Sequence, residues 1–248
     1  MFGLFSKKKE KQNSAAGFGA LQTDMHSHLL PGIDDGARHM EESLELIRGL
    51  KALGFKKLIT TPHVLWDMYR NTPEIINKKL ETVRQALREN DIDIELYAAA
   101  EYFLDEHMER LIKEKQPLVT IKDNMVLVEF SVMHMSINMK ELIFDLQMAG
   151  YQPVLAHPER YVYLNKNREI FDELRANGVL FQLNLLSATG GYGKSVLELA
   201  QYFLKNGFYS VVGTDLHHAG HLQRLKDFKA PPELQELLSS PQLLNAQL

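Results

Sequence analysis

TDMHSHLLPGIDDG, residues 23–36, is the stretch on which the reading of this chain turns. A strand-length run ends in two histidines, His26 and His28, placed two apart. A proline–glycine turn follows, and then the aspartates Asp34 and Asp35. In a strand, residues two apart point to the same side, so both imidazoles face one way. One such histidine is usually a hydrogen-bonded core residue. The question is whether the rest of the chain repeats the arrangement.

It does. Short apolar runs read as buried strands: DMHSH, KLITT, IELYAAAEY, MVLVEFS, PVLAHPE, LFQLNLLS and YSVVGTD. Longer segments with helical period lie between them, such as the stripes Met40, Leu44, Ile47, Leu50 and Ile76, Leu80, Val83, Leu87. The second stripe opens with Thr72-Pro73, a capping residue followed by proline at the first helical position. Glycine followed by an apolar residue closes several helices, as at Gly54-Phe55, Gly150-Tyr151, Gly178-Val179 and Gly207-Phe208. Seven strands alternating with helices predict a parallel α/β architecture whose strands are covered on both faces. A single domain over residues 21–248, closed into a barrel, fits this alternation better than two domains, because no linker-like segment interrupts it. An open doubly wound sheet is the alternative.

Metal-capable side chains recur at the strand ends. His26 and His28 end the first strand, His63 follows the second, Glu101 ends the third and Glu129 the fourth. His157 ends the fifth, Asp215 and His217 the last, and Asp35 lies in the loop after the first. In (β/α) barrels the active site is assembled at that C-terminal face from several strand ends. An apolar strand gains nothing by ending in a buried carboxylate, which costs several kcal/mol unless paired or metal-bound. Five histidines and four carboxylates at one face therefore predict a metal centre. Imidazole and carboxylate ligands suit Mn²⁺, Fe, Zn²⁺ or Co²⁺. Nine ligands are enough for two or three ions. Ions ~3.5–4 Å apart can hold a bridging hydroxide and clamp a phosphoryl oxygen, the two-metal route to phosphoester hydrolysis.

Composition excludes several other classes. The 248 residues carry no cysteine, which removes disulfides, thiolate metal sites and a cysteine nucleophile. A net charge of −4 offers no basic field for nucleic acid. No run reaches the ~18 apolar residues that suggest an integral membrane segment. The first 20 residues read as a flexible lysine-containing tail, in which Met1, Phe2, Leu4, Phe5 and the lysines could touch a membrane surface. With no secretory signal, the expected location is the cytoplasm.

Arg160, three residues past His157, is placed to bind phosphate bidentately. Residues 188–195, ATGGYGKS, fit a relaxed phosphate-loop pattern, but a rim loop with Lys194 as a weak phosphate contact is the preferred reading. Residues 64–71, VLWDMYRN, carry the only tryptophan and could shape a substrate pocket. His39 and His107 fall in predicted helices and are expected to be solvated, while His134, His218 and His221 are open to more than one role.

With these residues assembled, the chain resembles the polymerase-and-histidinol-phosphatase (PHP) metal phosphoesterases. It is most similar to their bacterial manganese-dependent protein-tyrosine phosphatases, encoded with capsule and exopolysaccharide genes. DMHSHLLPGIDDGA, TTPH, AAEY, VEFS, AHPER and GTDLH carry the resemblance, in family order. The resemblance implies a distorted (β/α)₇ barrel with a trinuclear site. His26, His28, Glu101 and Asp215 would hold one ion, Glu101, Glu129 and His157 a second, and Asp35, His63 and His217 the third. It makes manganese the expected metal and Arg160 the phosphate-binding arginine. It also implies a phosphotyrosine protein substrate, namely a membrane-anchored tyrosine autokinase of polysaccharide export. A small-molecule phosphatase, such as a histidinol phosphatase, is the alternative. One departure stands out: the family's further arginine after the last strand has its counterpart only in Arg224, later than expected, with His218 and His221 closer.

Overall fold

A computed structural model describes residues 18–135 and 138–248. Residues 1–17 of the expected tail lie outside the described residues. Phe18, near that tail's predicted end, is buried against Phe55 and Phe228 at ring separations of 5.7 and 5.4 Å.

Each apolar run carries a strand, and all strand pairs are parallel. The strands are β1 (Thr23–Asp24), β2 (Lys57–Thr60), β3 (His63–Val64), β4 (Glu95–Ala98), β5 (Glu101–Phe103), β6 (Met125–Glu129), β7 (Gln152–Ala156), β8 (Leu180–Asn184) and β9 (Tyr209–Gly213). Among the described residues, nine strands arise from the seven expected runs because two runs are interrupted. The second breaks at Thr61-Pro62, where proline has no N–H for the ladder, and the third at Ala99-Ala100. The outcome is a three-stranded sheet, β1-β2-β4, and a six-stranded sheet, β3-β5-β6-β7-β8-β9. The two interruptions sit side by side, so His63 pairs directly with Glu101, and Phe103 with Glu129. That register brings three of the predicted metal ligands onto adjacent strands.

Helices make the crossovers that parallel strands require. They are α1 (Met40–Ala52), α2 (Pro73–Glu89), α3 (Glu106–Lys113), α4 (Met139–Met148), α5 (Glu169–Ala176), α6 (Lys194–Lys205), α7 (Ala219–Lys226) and α8 (Pro232–Leu238). The Thr72 side chain caps α2 by accepting from the Ile75 N–H, with Pro73 at the first helical position as expected. His39 sits just outside α1 and caps it through Nδ1, rather than lying within the helix. Gly54, Gly150, Gly178 and Gly207 all have positive φ, the left-handed turn that ends a helix and returns the next residue to the core.

The first and last runs are joined by hydrogen bonds outside the two ladders. The Asp215 N–H donates to the His26 carbonyl at 2.7 Å, and the His28 N–H donates to the Leu216 carbonyl at 2.9 Å. Lower down, the Asp24 carboxylate accepts from the Thr214 N–H and hydroxyl at 2.8 and 2.7 Å. At the opposite end from the predicted site, buried Asn245 makes the same connection. Its amide donates to the carbonyls of Thr23 and Val212 and accepts from the Val212 N–H, at 3.0, 2.7 and 2.8 Å. A compact apolar cluster of Met25, Ile59, Ala99, Ile121, Leu127, Val154, Ala156 and Val211 lies among the strands, with Leu244 and Leu248 packed against it.

Asn245 satisfies three buried backbone groups that no ladder reaches. Asn245→Ala is expected to destabilise the protein by about 2–4 kcal/mol, read as a lower denaturation midpoint with an unchanged slope. An unchanged midpoint would show that Asn245 is not what joins the two runs.

Candidate metal centre

All nine predicted residues converge at the C-terminal ends of the strands. The ring nitrogens Nε2 of His26 and His28 lie 3.3 Å apart, as the same-face reading requires. Glu101 is the hub. Its Oε2 is 3.2 Å from His26 Nε2, 3.1 Å from His63 Nδ1 and 3.5 Å from His28 Nε2, and its Oε1 is 3.0 Å from His157 Nε2. Glu129 Oε1 lies 3.0 Å from His63 Nδ1. Asp215 Oδ1 lies 3.3–3.5 Å from nitrogens of His26, His28 and His217. Asp35 Oδ1 reaches His63 and His217 at 3.4 and 3.5 Å.

These contacts resolve into four interlocking groups whose ligand atoms lie within 4.8 Å of one another. They are His28, Asp35, His63, His217; His26, His28, Glu101; His26, His157, Asp215; and His63, Glu101, Glu129. His26, His28, His63 and Glu101 each belong to two groups.

The backbone is bent to achieve this. His157 and Asp215 have φ of +34° and +50°, a region that residues with a Cβ enter at a cost. Gly213 gives room: a Cβ there would stand 2.5 Å from the His26 Cβ. Gly36 is held closer still, since its Cβ would lie 2.2 Å from the His28 carbonyl oxygen.

A second layer of residues orients the ligands. Gln182 Oε1 lies 2.9 Å from His26 Nδ1 and accepts the His157 N–H at 3.1 Å. Asp34 Oδ2 lies 2.8 Å from His28 Nδ1. The Asn184 amide donates to Asp215 Oδ2 at 2.8 Å. None of these three was singled out from the sequence, although a signal was present. Gln182 and Asn184 are two polar residues two apart in an otherwise apolar strand, the same mark that exposed His26 and His28. They ended the one strand that supplies no metal-capable side chain.

Electrostatics follow from this crowding. Burial would depress His63, but Glu101 and Glu129 outweigh it and push its pKa up to about 9. Burial also opposes protonation of His26 and His28, yet both are raised, His26 by Glu101 and Asp215, His28 by Asp34 and Asp215. Glu101 and Asp215 move oppositely. Burial favours their neutral forms, but His26 with His63, and His26 with His217, hold them well below the usual carboxylate range.

The mouth above the site is a cavity of about 660 Å³ whose walls include Arg160, Tyr192, His218 and His221. Arg160 donates to Asp215 Oδ2 at 3.1 Å and lies 5.0 Å from the Tyr192 ring. Arg224 is exposed on α7 and does not line this mouth, whereas His218 and His221 do. Lys194 is exposed and faces Glu198 at 3.6 Å, so residues 188–195 present Tyr192, not a lysine, to the mouth. Residues 64–71 do form a wall of it, through Leu65 and Met68. His107 is partly covered by stacking on Trp66 at 3.9 Å.

The donor set suits divalent ions. It consists of nitrogen and oxygen alone, and two of its innermost atoms, Glu101 Oε2 and His63 Nδ1, are buried without a hydrogen bond although they stand 3.1 Å apart. Atoms so placed aim at a common point rather than at each other, which is what shared metal ligation requires.

Comparison with known proteins agrees. The chain is 31% identical over 203 residues to the tyrosine-protein phosphatase CpsB of Streptococcus pneumoniae, covering 79% of this chain and 82% of that one. It is 28% identical over 195 residues to the tyrosine-protein phosphatase YwqE of Bacillus subtilis, covering 79% and 77%. The crystal structures of YwqE and CpsB, described as unique metal-dependent tyrosine phosphatases, include a chain that matches with a TM-score of 0.77 at 26% identity, over 91% of this chain and 94% of that one. A family model for capsular polysaccharide synthesis, CpsB/CapC, matches residues 22–231, and the chain belongs to that family.

Proposed function

We propose that the protein is a metal-dependent protein-tyrosine phosphatase whose nine converging residues hold two or three divalent ions, with manganese the expected metal. The observation that carries the reading is the convergence of Glu101, His63 and their neighbours, with unpartnered buried ligand atoms, beneath a mouth that contains Arg160. When bound, the ions supply Lewis acidity toward the phosphoryl oxygens and an activated water for hydrolysis.

The chain's own residues do the rest. His26, His28, Glu101 and Asp215 form the innermost set, and Gln182, Asp34 and Asn184 fix which ring nitrogens and carboxylate oxygens face inward. Arg160 is already held at the Asp215 carboxylate, so a substrate phosphoryl group arriving there meets a preset guanidinium that can bind two of its oxygens. His221 does not suit the role of proton donor. Burial and the nearby His218 and His217 lower its pKa to about 4, which leaves it neutral at pH 7. A phenolate leaving group, with a pKa near ~10, needs less proton assistance than an alkoxide. That favours phosphotyrosine over aliphatic phosphoesters.

The site's exposure favours a protein substrate over a small metabolite. The Asp35 side chain is 52% exposed at the rim while the other eight ligands are 15% exposed or less, so the centre lies at the foot of an open mouth that a protein side chain can enter. The partner best suited to the family is a tyrosine autokinase of polysaccharide export, which places the enzyme in the cytoplasm. No described helix is long and apolar enough to cross a membrane. We further propose that the two sheets form one closed barrel of seven runs, a reading supported by the hydrogen bonds between residues 24–28 and 214–216.

Metal-stripped protein is expected to release no phosphate from a phosphotyrosine peptide and to regain activity with Mn²⁺; activity unaffected by chelation would sink the metal reading. Arg160→Met should lower kcat/KM by about 10²–10³, whereas a fall below threefold would remove Arg160 from phosphate binding. Metal binding must also displace protons, because His63 is held protonated up to about pH 9 and His26 and His28 are raised with it. Affinity for Mn²⁺ is therefore expected to rise with pH between 6 and about 9. Calorimetry in buffers of different ionisation enthalpy should show proton release at pH 7, and binding without release would contradict the assignment of these histidines as ligands.

A further inference from the structure

Two exposed methionines line the metal mouth. Met68 is 67% exposed and Met133 80%, with Val132 beside them at 37%, and all three line the cavity that contains His63, Glu129 and Asp215. Phe103, Phe130 and Leu65 continue the same wall inward. Large apolar side chains left in water around a polar site have no packing reason to be there, and such patches mark contact surfaces.

These residues are also held in place. Met68 sits in a tight turn, closed by its N–H donating to the Leu65 carbonyl at 2.9 Å and by the Leu65–Tyr69 bridge. Tyr69 stacks on His63 at 5.7 Å, which ties the turn to the metal centre. Buried Asn71 donates to the carbonyls of Ile33 and His63 at 2.9 and 2.8 Å, fixing the far end of the loop. In the loop after β6, the Met133 N–H donates to the Ser131 hydroxyl at 3.2 Å. The side chains are flexible thioethers on a fixed backbone, a combination that moulds to an aromatic ring while keeping its position.

We propose that Met68, Val132 and Met133 form an apolar clamp for the phenyl ring of phosphotyrosine, and that this clamp is a specificity determinant separate from the metal ligands. The inference rests on the tyrosine-phosphatase reading above and adds the residues that recognise the ring. With the phosphoryl group at the metal ligands and Arg160, the ring of a tyrosyl ester extends outward to the level of the rim. A seryl ester has no ring to place there, so its peptide backbone would have to descend between the methionines.

The test uses zinc-loaded, diamagnetic protein carrying ¹³C-methyl methionine. It is titrated with a peptide containing phosphonomethyl-phenylalanine, a non-hydrolysable phosphotyrosine mimic, and with the matching phosphonate mimic of phosphoserine. The expected result is an upfield ring-current shift of the Met68 and Met133 methyls with the aryl peptide only, while Met148 on α4 stays unmoved. In steady-state assays, Met68→Ser with Met133→Ser should raise KM for a phosphotyrosine peptide about five- to tenfold, with kcat changed far less. Binding of the aryl peptide with no shift at Met68 or Met133, or equal shifts with both peptides, would overturn the clamp and leave the phosphatase reading standing. Failure of the aryl peptide to bind the zinc-loaded protein, together with no turnover of any phosphotyrosine peptide, would overturn both.

Discussion

The structure depends on one buried carboxylate and the imidazoles around it. Glu101 is fully buried, and its two oxygens lie within 3.5 Å of nitrogens from His26, His28, His63 and His157. Three different runs of the chain supply those histidines and a fourth supplies Glu101 itself, so the contacts at Glu101 tie together the ends of strands that are remote in sequence. An isolated carboxylate there would cost several kcal/mol, and its partners make the burial tolerable only if they are charged or share a cation. Without metal, protons play that part. The raised pKa values of His26, His28 and His63 and the lowered ones of Glu101 and Asp215 describe a network that keeps its charge balanced with protons. A divalent ion replaces those protons and satisfies ligand atoms that now lack a hydrogen bond.

The fold accepts strain to build this network. Two strand-end residues, His157 and Asp215, adopt positive φ, and two glycines, Gly36 and Gly213, are pressed against the histidines they accompany. None of these features helps a parallel sheet pack. They belong to the site, and they are offset by the apolar core beneath and by side chains such as Asp24 and Asn245 that join the first and last runs. Backbone geometry and ligand chemistry thus point to the same face of the molecule, where strand ends are bent to aim polar atoms inward.

Much of this was legible in the sequence because periodicity and residue type coincided. Apolar runs gave the strands, glycine caps gave the helix ends, and metal-capable residues stood at run ends. His26 and His28 declared their shared face by spacing alone. Other features were hidden for physical reasons. Breaks at Thr61-Pro62 and Ala99-Ala100 divide two runs into four strands. The alanine break follows from tertiary registration, which no local propensity encodes. Gln182 and Asn184 were overlooked because amides are not metal ligands by type, although their spacing matched that of the histidines. Asp34 was overshadowed by Asp35, and only the fold shows that one turns inward to His28 while the other stays at the rim. Arg224 shows the limit of order in sequence: it follows the last strand, yet α7 carries it to an exposed position away from the mouth.

The central claim is that these nine residues are ligands of a shared cluster of divalent ions. The most direct measurement is a crystal structure grown with Mn²⁺, with diffraction recorded on both sides of the manganese absorption edge. The account predicts two or three anomalous peaks within the four interlocking groups, with Glu101 touching more than one ion. Density free of anomalous peaks among these residues, or manganese held by other side chains while His26, His63 and Glu101 keep their present mutual contacts, would contradict it.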